Sequence, residues 1–382
     1  MEEKDYWIGF SVFSGVGPVT FQNLLRKFSS AKSAWLASES HLKEIFKEKK
    51  TQDFLNFRER FDFGAYKRRL EKTKVSIVTL QDAHYPSRLK QIKNPPFVLY
   101  VKGRLEGVIP NLFRDPKQDN KEMLKRVQHD SLKVIAIVGT RKITQYGRDV
   151  TEMFTHGLVS AGFTIVSGLA MGVDAIAHQT ALDIGGETIA VLGCGVDCVY
   201  PRENEKLYDA IIESGGVILS EVPLGMSASI GTFPARNRIV AGLSEGILVT
   251  EGAEDSGALI TAEFGLQYGR KVFAVPGPIT SSLSKGPYKL IEKGAKLVTS
   301  PADVLKKLGI KNKELRTMKE KIIGETKEEQ MIIDLLENEP LLFDEIVRRT
   351  KYDSATIASL ISLMEIKGVI VHSIHGEVRL VY

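Results

Sequence analysis

Apolar positions in residues 5 to about 65 recur three and four apart, which predicts a run of short helices. Inside that run "FSGVGPVTFQNLLRKF" sets Gly15 and Gly17 between two apolar helical patterns. This is the outline of a helix-hairpin-helix turn, in which backbone N–H groups at a helix start can hold a phosphate. The same Gly-x-Gly-Pro spacing also serves as a plain connection between helices. From about 75 to 102, short strand-like runs alternate with turn residues and end in Pro95-Pro96, a lead-in to a central sheet. Residues 104–132 are polar and charged with no strong period, which predicts a disordered surface insertion.

From 133 the rhythm becomes strand, turn, helix. Strands predicted at 133–138, 163–166, 188–192, 217–220, 246–250 and 271–275 read as apolar runs, separated by helical patterns such as "VDAIAHQTALDIG" and "GALITAEFGLQYG". That alternation predicts an α/β fold with a doubly wound parallel sheet covered on both faces, of extended Rossmann-like type. A basic stretch at 306–324 leads to a tail whose order of helix, helix ("SATIASLISLMEIKG") and hairpin near His375-Gly376 resembles a winged helix. The predicted domains are a helical SAM/helix-hairpin-helix-like domain at 1–70, the Rossmann-like domain at 71–305, a basic linker at 306–324 and a winged helix at 325–382.

Composition narrows the picture modestly. The 382 residues leave room for two or three domains, and a net charge of +5 is compatible with a polyanionic partner without requiring one. The tail runs against this trend, with six Lys and Arg to eleven Asp and Glu, so a protein-docking or regulatory role is expected of it rather than DNA reading. No apolar stretch approaches the ~20 residues of a membrane span, and the start "MEEKDYW" lacks the regions of a signal peptide; a cytoplasmic protein with no membrane partner is expected. Cys194 and Cys198 offer neither a disulfide framework nor the ligands of a structural zinc, and read as reduced bystanders.

In a doubly wound sheet, ligands bind at the carboxyl ends of the strands. The first strand of the repeat ends in Gly139-Thr140-Arg141, the second in "SGLAMG" with Ser167, Gly168 and Gly172, and the third leads to Tyr200-Pro201-Arg202. The fourth leads to "FPARNRIVAG", carrying Arg236, Asn237 and Arg238, and the fifth to a helix opening at Ser256-Gly257. Taken singly, such a glycine is a turn and such an arginine a solvated charge. Their recurrence at equivalent strand ends points to a pocket for phosphates. Tyr200 and Phe233 could add base stacking if their rings are exposed.

Catalysis finds little support. The chain has no Walker A lysine loop, no Gly-x-Ser-x-Gly elbow and no metal-spaced cluster. His178 reads as a packed helix residue, and Ser256 and Glu251 stand at a strand end where a catalytic group could sit. The enzyme alternative is a Rossmann-like nucleotide-processing hydrolase similar to phosphoribohydrolases, whose Pro-Gly-Gly-x-Gly-Thr loop is absent.

The motifs "VGTRKITQYG", "SGLAMGVDAIAH", "AVLGCGVDCVYPRENEKL", "SEVPLG", "FPARNRIVAGLSEGILVTEG", "SGALITAEFGLQYGRKVFAVPG" and "KLIEKGAKLV" occur in one order over about 133–300. Together they resemble the DNA processing protein A family (DprA, also called Smf). The resemblance implies a homodimeric single-stranded DNA-binding recombination mediator, not an enzyme and without a cofactor. Such a protein protects incoming DNA and loads RecA during natural transformation. It also implies DNA contacts at Gly139, Thr140, Arg141, Ser167, Gly168, Gly172, Arg202, Arg236, Asn237, Arg238, Ser256 and Gly257. Arg141 and Arg202 would be direct phosphate ligands and the loop N–H groups would seat the same strand, while Arg238 has a structural alternative. Two features depart from the family pattern: Met171 stands where a cation is usual, and 104–132 is inserted ahead of the first strand.

Overall fold

A computed structural model describes residues 1–103, 133–229, 231–310, 324–336, 339–372 and 376–380; the expected insertion at 104–132 and most of the linker lie outside them. The chain divides into two compact units, Met1–Leu308 and Gly309–Tyr382.

Aromatic rings at helical spacing organise the start of the first unit. Helices α1 (Glu3–Val12), α2 (Pro18–Phe28), α3 (Ala31–Trp35), α4 (Glu39–Lys43), α5 (Glu48–Arg60) and α6 (Phe63–Lys72) close around Phe10, which stacks on Phe54 at 5.2 Å and meets Trp35 edge-on at 5.2 Å. Gly15, at φ +92°, makes the turn between α1 and α2, and Gly17 with Pro18 opens α2. The Gly15 carbonyl accepts a hydrogen bond from Lys50 Nζ. Phe21 stacks on Phe97 at 4.1 Å, and one apolar cluster continues from these helices to Tyr100, Leu192 and Ile218 of the sheet.

The sheet begins with an antiparallel pair, β1 (Val75–Thr79) and β2 (Val98–Gly103), separated by the short helix α7 (Ser87–Lys90). Then come β3 (Val134–Val138), α8 (Gln145–Ser160), β4 (Thr164–Ser167), α9 (Val173–Asp183), β5 (Thr188–Leu192), α10 (Glu205–Glu213) and β6 (Val217–Ser220). The chain continues through α11 (Thr232–Leu243), β7 (Gly246–Val249), α12 (Gly257–Gln267), β8 (Lys271–Ala274), α13 (Lys285–Glu292), β9 (Lys296–Leu297) and α14 (Pro301–Leu308). The strand order is β1-β2-β6-β5-β4-β3-β7-β8-β9. From β6 to β9 every pair is parallel, and β2 joins β6 antiparallel with Tyr100 opposite Ser220. The six predicted strands appear within a residue of their expected ends, and the 75–102 lead-in supplies the antiparallel edge. All five residues of β3 are buried, as a central strand covered on both faces requires.

The second unit has its own core of Ile332, Ile346, Ile357, Ile361, Ile370 and Val378. It contains α15 (Lys327–Leu336), β10 (Leu341–Leu342), α16 (Phe343–Thr350), α17 (Ser354–Ile366), β11 (Ile370–His372) and β12 (Glu377–Leu380), the three strands ordered β10-β12-β11. Asp353 caps α17 by accepting from the N–H groups of Ala355 and Thr356 at 3.1 and 3.0 Å. This is the helix, helix and hairpin of a winged helix. Among the described residues no helix is long and apolar enough to cross a membrane.

Candidate functional site

Strands β3 and β7 lie side by side, but the chain leaves β3 toward β4 on one side and reaches β7 from β6 through α11 on the other. Their carboxyl ends therefore open a crevice at the point where the winding reverses, the position at which doubly wound sheets hold ligands. Here it is a cleft of about 380 Å³, lined by Gly139–Arg141, Gly168, Ala170, Asp174, Phe233–Asn237 and Ala253–Gly257 apart from Ala235 and Glu254.

Backbone bonds draw three loops to this edge. Thr140 donates its N–H to the Glu251 carbonyl at 2.8 Å and accepts from Val173 N–H at 3.1 Å, joining the loop after β3 to those after β7 and β4. Gly172 sits at φ +77°, and a Cβ there would overlap the Thr140 carbonyl, so this close approach requires glycine. Glu251 is buried, and both carboxylate oxygens are taken by Thr144, from its N–H at 3.0 Å and its hydroxyl at 2.6 Å, at the start of α8.

Beneath the loops lies a buried polar layer. Arg236 is only 6% exposed; its guanidinium donates to the carbonyls of Gly168 and Val191, and its Nε to Asn237 Oδ1 at 3.1 Å. Asn237 in turn donates to the Gly257 carbonyl at 3.1 Å, tying α11 to the start of α12, where Ser256 caps by accepting from Ala258 N–H at 3.3 Å. Asp174 accepts from the N–H groups of Gly168 and Ala170 at 3.0 and 3.4 Å. Burial pushes its carboxyl above the usual range, against the opposing pull of Arg236. His178 is fully buried with Nδ1 2.6 Å from the Thr188 hydroxyl, and burial followed by the Arg236 charge pushes its pKa down to about 3.

The outer rim differs in character. Arg141 is exposed and its guanidinium lies 5.3 Å from the centre of the Phe233 ring, which is 5.6 Å from the ring of Tyr200. Tyr200 is 48% exposed, and Arg202 is exposed on the short turn that follows it. Asn204 Nδ2 donates to the Leu169 carbonyl at 2.9 Å, linking that turn to the loop after β4. Neither Arg141 nor Arg202 has an acidic partner among the described residues. Asp255 is an exposed carboxylate in the cleft lining, and Glu203, also exposed, follows Arg202 on its turn.

Comparison with known proteins places this architecture. The family described as DNA recombination-mediator protein A matches residues 124–309, and the DprA winged helix domain matches 318–373. Protein Smf of Synechocystis is 37% identical over 309 residues, which cover 80% of this chain and 73% of that one. The chain belongs to the DprA/Smf family. The X-ray structure of DNA processing protein A from Streptococcus pneumoniae aligns with a TM-score of 0.64 at 34% identity, over 79% of this chain and 97% of that one. The Helicobacter pylori DprA structure aligns with a TM-score of 0.50 at 29% identity, over 62% of this chain and 95% of that one, and is described as having a single-stranded DNA binding mode.

Within this DprA/Smf fold, the residues expected at the pocket separate into three groups. Gly139, Thr140, Arg141, Gly168, Arg236, Asn237, Ser256 and Gly257 line the cleft. Gly172 shapes it from behind and Arg202 lies outside the lining, on the neighbouring turn. The expected convergence of all four arginines is corrected for Arg238, which is buried in an ion pair with Glu221. Ser167 is likewise turned away, donating its hydroxyl to the Ile137 carbonyl at 2.6 Å. The expectation that the 167–172 loop offers its N–H groups to a ligand is corrected for Gly168 and Ala170, whose N–H groups go to Asp174. Sequence reasoning missed Asp174, Thr144 and Asn204, the residues that hold the loops. Their signal was placement beside a strand end, which the loop glycines shared.

Proposed function

We propose that this chain is a single-stranded DNA-binding recombination mediator, not an enzyme, that uses no cofactor. It holds a DNA backbone along the carboxyl edge of the sheet, protects incoming single strands and loads RecA onto them during natural transformation as a cytoplasmic homodimer. The observation that carries this reading is the rim of the cleft: two exposed arginines, Arg141 and Arg202, without acidic partners among the described residues, beside the exposed ring of Tyr200 and the half-buried ring of Phe233. Cations that track phosphates, interleaved with aromatic faces that accept any base, are what sequence-tolerant single-strand binding needs. The single-stranded DNA binding mode described for the H. pylori relative supports the same partner. In this reading Arg236, Asn237 and the glycines position the loops, Arg141 and Arg202 meet phosphate, and Arg238 is structural. The nucleotide-hydrolase alternative gains no observation, since Glu251 is spent on capping α8.

The test is anisotropy of labelled oligo-dT titrated at several salt concentrations with duplex as competitor. Binding that is steep in salt, by about 0.7 in log K per log salt for each phosphate neutralised, and resistant to duplex is the expected outcome. No binding at low salt would sink the reading. RecA loading is tested by filament assembly on coated single strands, and dimerisation by sedimentation.

A further inference from the structure

The corner between α5 and α6 opens a second recess of about 340 Å³, lined by Phe57, Arg60, Phe61, Asp62, Ala65, Tyr66 and Arg69. Its walls are aromatic: Phe57 and Phe61 stack at 5.0 Å with 28° between planes, and Phe61 lies 5.7 Å from Tyr66. All three rings are half-buried, so the helical core backs them while an open side remains. Arg60 is exposed at its mouth with no acidic partner among the described residues. The one carboxylate in the lining, Asp62, is engaged in capping α6 through Ala65 N–H at 2.9 Å.

The recess adjoins the loops that follow β5 and β6. Arg69 pairs with Asp197 at 2.8 Å, and Tyr66 accepts from Leu224 N–H at 3.2 Å. Asp197 precedes Tyr200 by three residues, a span of at most about 10 Å, so the recess lies beside the aromatic and basic rim of the strand-end cleft.

We propose that this recess is a second subsite for the same single strand, taking a nucleobase against the open side of the aromatic wall formed by Phe57, Phe61 and Tyr66 and the adjoining phosphate on Arg60. The proposal rests on the reading of the cleft as a single-strand site. Three observations favour nucleic acid over an apolar protein segment: the unpaired cation at the mouth, flat aromatic walls enclosing room for a base, and continuity with the cationic edge. The N-terminal helices thereby lengthen the DNA footprint beyond the sheet.

The experiment titrates the full chain, wild type and the variants Phe61→Leu and Arg60→Gln, with oligo-dT of about 6 and about 20 nucleotides, lengths that bracket common single-strand site sizes. Phe61→Leu keeps apolar volume and removes the ring face. It is expected to weaken the longer oligonucleotide about fivefold or more, the low end of what one stacked base contributes, and to leave the shorter one unchanged. Arg60→Gln is expected to lower the salt slope of the longer one by about 0.7. As a readout independent of either variant, a 5-iodouracil oligonucleotide should cross-link to the peptide containing Phe61. If wild type binds both lengths while both variants match it and the cross-link falls elsewhere, the subsite is overturned and the cleft reading stands. If neither length binds, the cleft reading fails and the subsite falls with it.

Discussion

The carboxyl edge of the large sheet and the outer helix of the winged helix are both places where a nucleic-acid protein would set cations, and only the edge has them. Arg141 and Arg202 are exposed there without acidic partners among the described residues. Helix α17, the second of its helix pair, has no Lys or Arg from Ser354 to Ile366 and exposes Leu363 and Ile366 instead. Three cations nearby are matched, Arg348 and Arg349 to Glu345, Arg349 also to Glu339, and Lys367 to Glu325 and Glu329, while Lys351 in the turn before α17 is exposed. Net charge separates the two regions, the tail being acidic in a basic chain, and the partners of each cation sharpen the separation, because a guanidinium already paired has less to offer a phosphate.

The largest effect should come from the layer under the edge. Arg236→Ala leaves two buried carbonyls short of a donor and removes the cation that opposes the burial of Asp174. Losing one member of a buried charged network costs about 3–5 kcal/mol, so denaturant unfolding should show a large loss and DNA binding should fall with it. A stability within about 1 kcal/mol of wild type would show that the bonds of Arg236 to the Gly168 and Val191 carbonyls do not hold the loops.

Arg141→Ala combined with Arg202→Ala should do the reverse. Both side chains are exposed, so unfolding should be unchanged, while affinity for oligo-dT drops about 100-fold if each charge-assisted bond contributes about 1.5 kcal/mol. The salt slope should fall by about 1.4, which is 0.7 for each phosphate released. An unchanged slope would remove both residues from the strand path and erase the contrast between edge and winged helix.

The buried layer should also be visible as pH dependence. Unfolded, His178 takes up a proton near pH 6.5, whereas folded it stays neutral down to about 3. Between those values the unfolded chain binds the extra proton, so stability falls as pH falls, by up to about 1.4 kcal/mol per unit. Asp174 and Glu221, both raised by burial, act in the opposite sense at the acid end, because the folded state holds their protons more tightly. His178→Gln should therefore flatten the decline in stability between pH 6.5 and 4. An unaltered slope would mean that His178 is not titrating on unfolding.

How far the residues alone announced this arrangement depends on the kind of information involved. Strands such as β3 were legible because a covered strand must be apolar along its whole length. The antiparallel edge was legible only as a lead-in, since pairing of β2 with β6 joins residues more than a hundred positions apart. At the site, the glycines and arginines were found by their recurrence at strand ends. Which arginine faces outward was not, because Arg236 and Arg238 stand on either side of Asn237 in one helix and both turn inward, to different partners. Asp174 and Glu251 illustrate the same limit: each is a carboxylate beside a glycine loop, and only the fold shows that both are bonded to backbone N–H groups.

The smallest effect should be at the winged helix. Arg348 is 73% exposed on its side chain and pairs with Glu345 three residues earlier, while Arg349 shares that carboxylate. Exposed pairs at this spacing contribute about 0.3–0.5 kcal/mol, and Arg349 keeps the carboxylate occupied when its neighbour is removed. Arg348→Ala should therefore change stability by less than about 0.5 kcal/mol and leave oligo-dT affinity and its salt slope at the wild-type values. Should the slope fall by about 0.7 instead, Arg348 would have exchanged Glu345 for a phosphate on binding. The winged helix would then belong to the DNA path, and pairing in the free protein would no longer distinguish the cations that bind from those that do not.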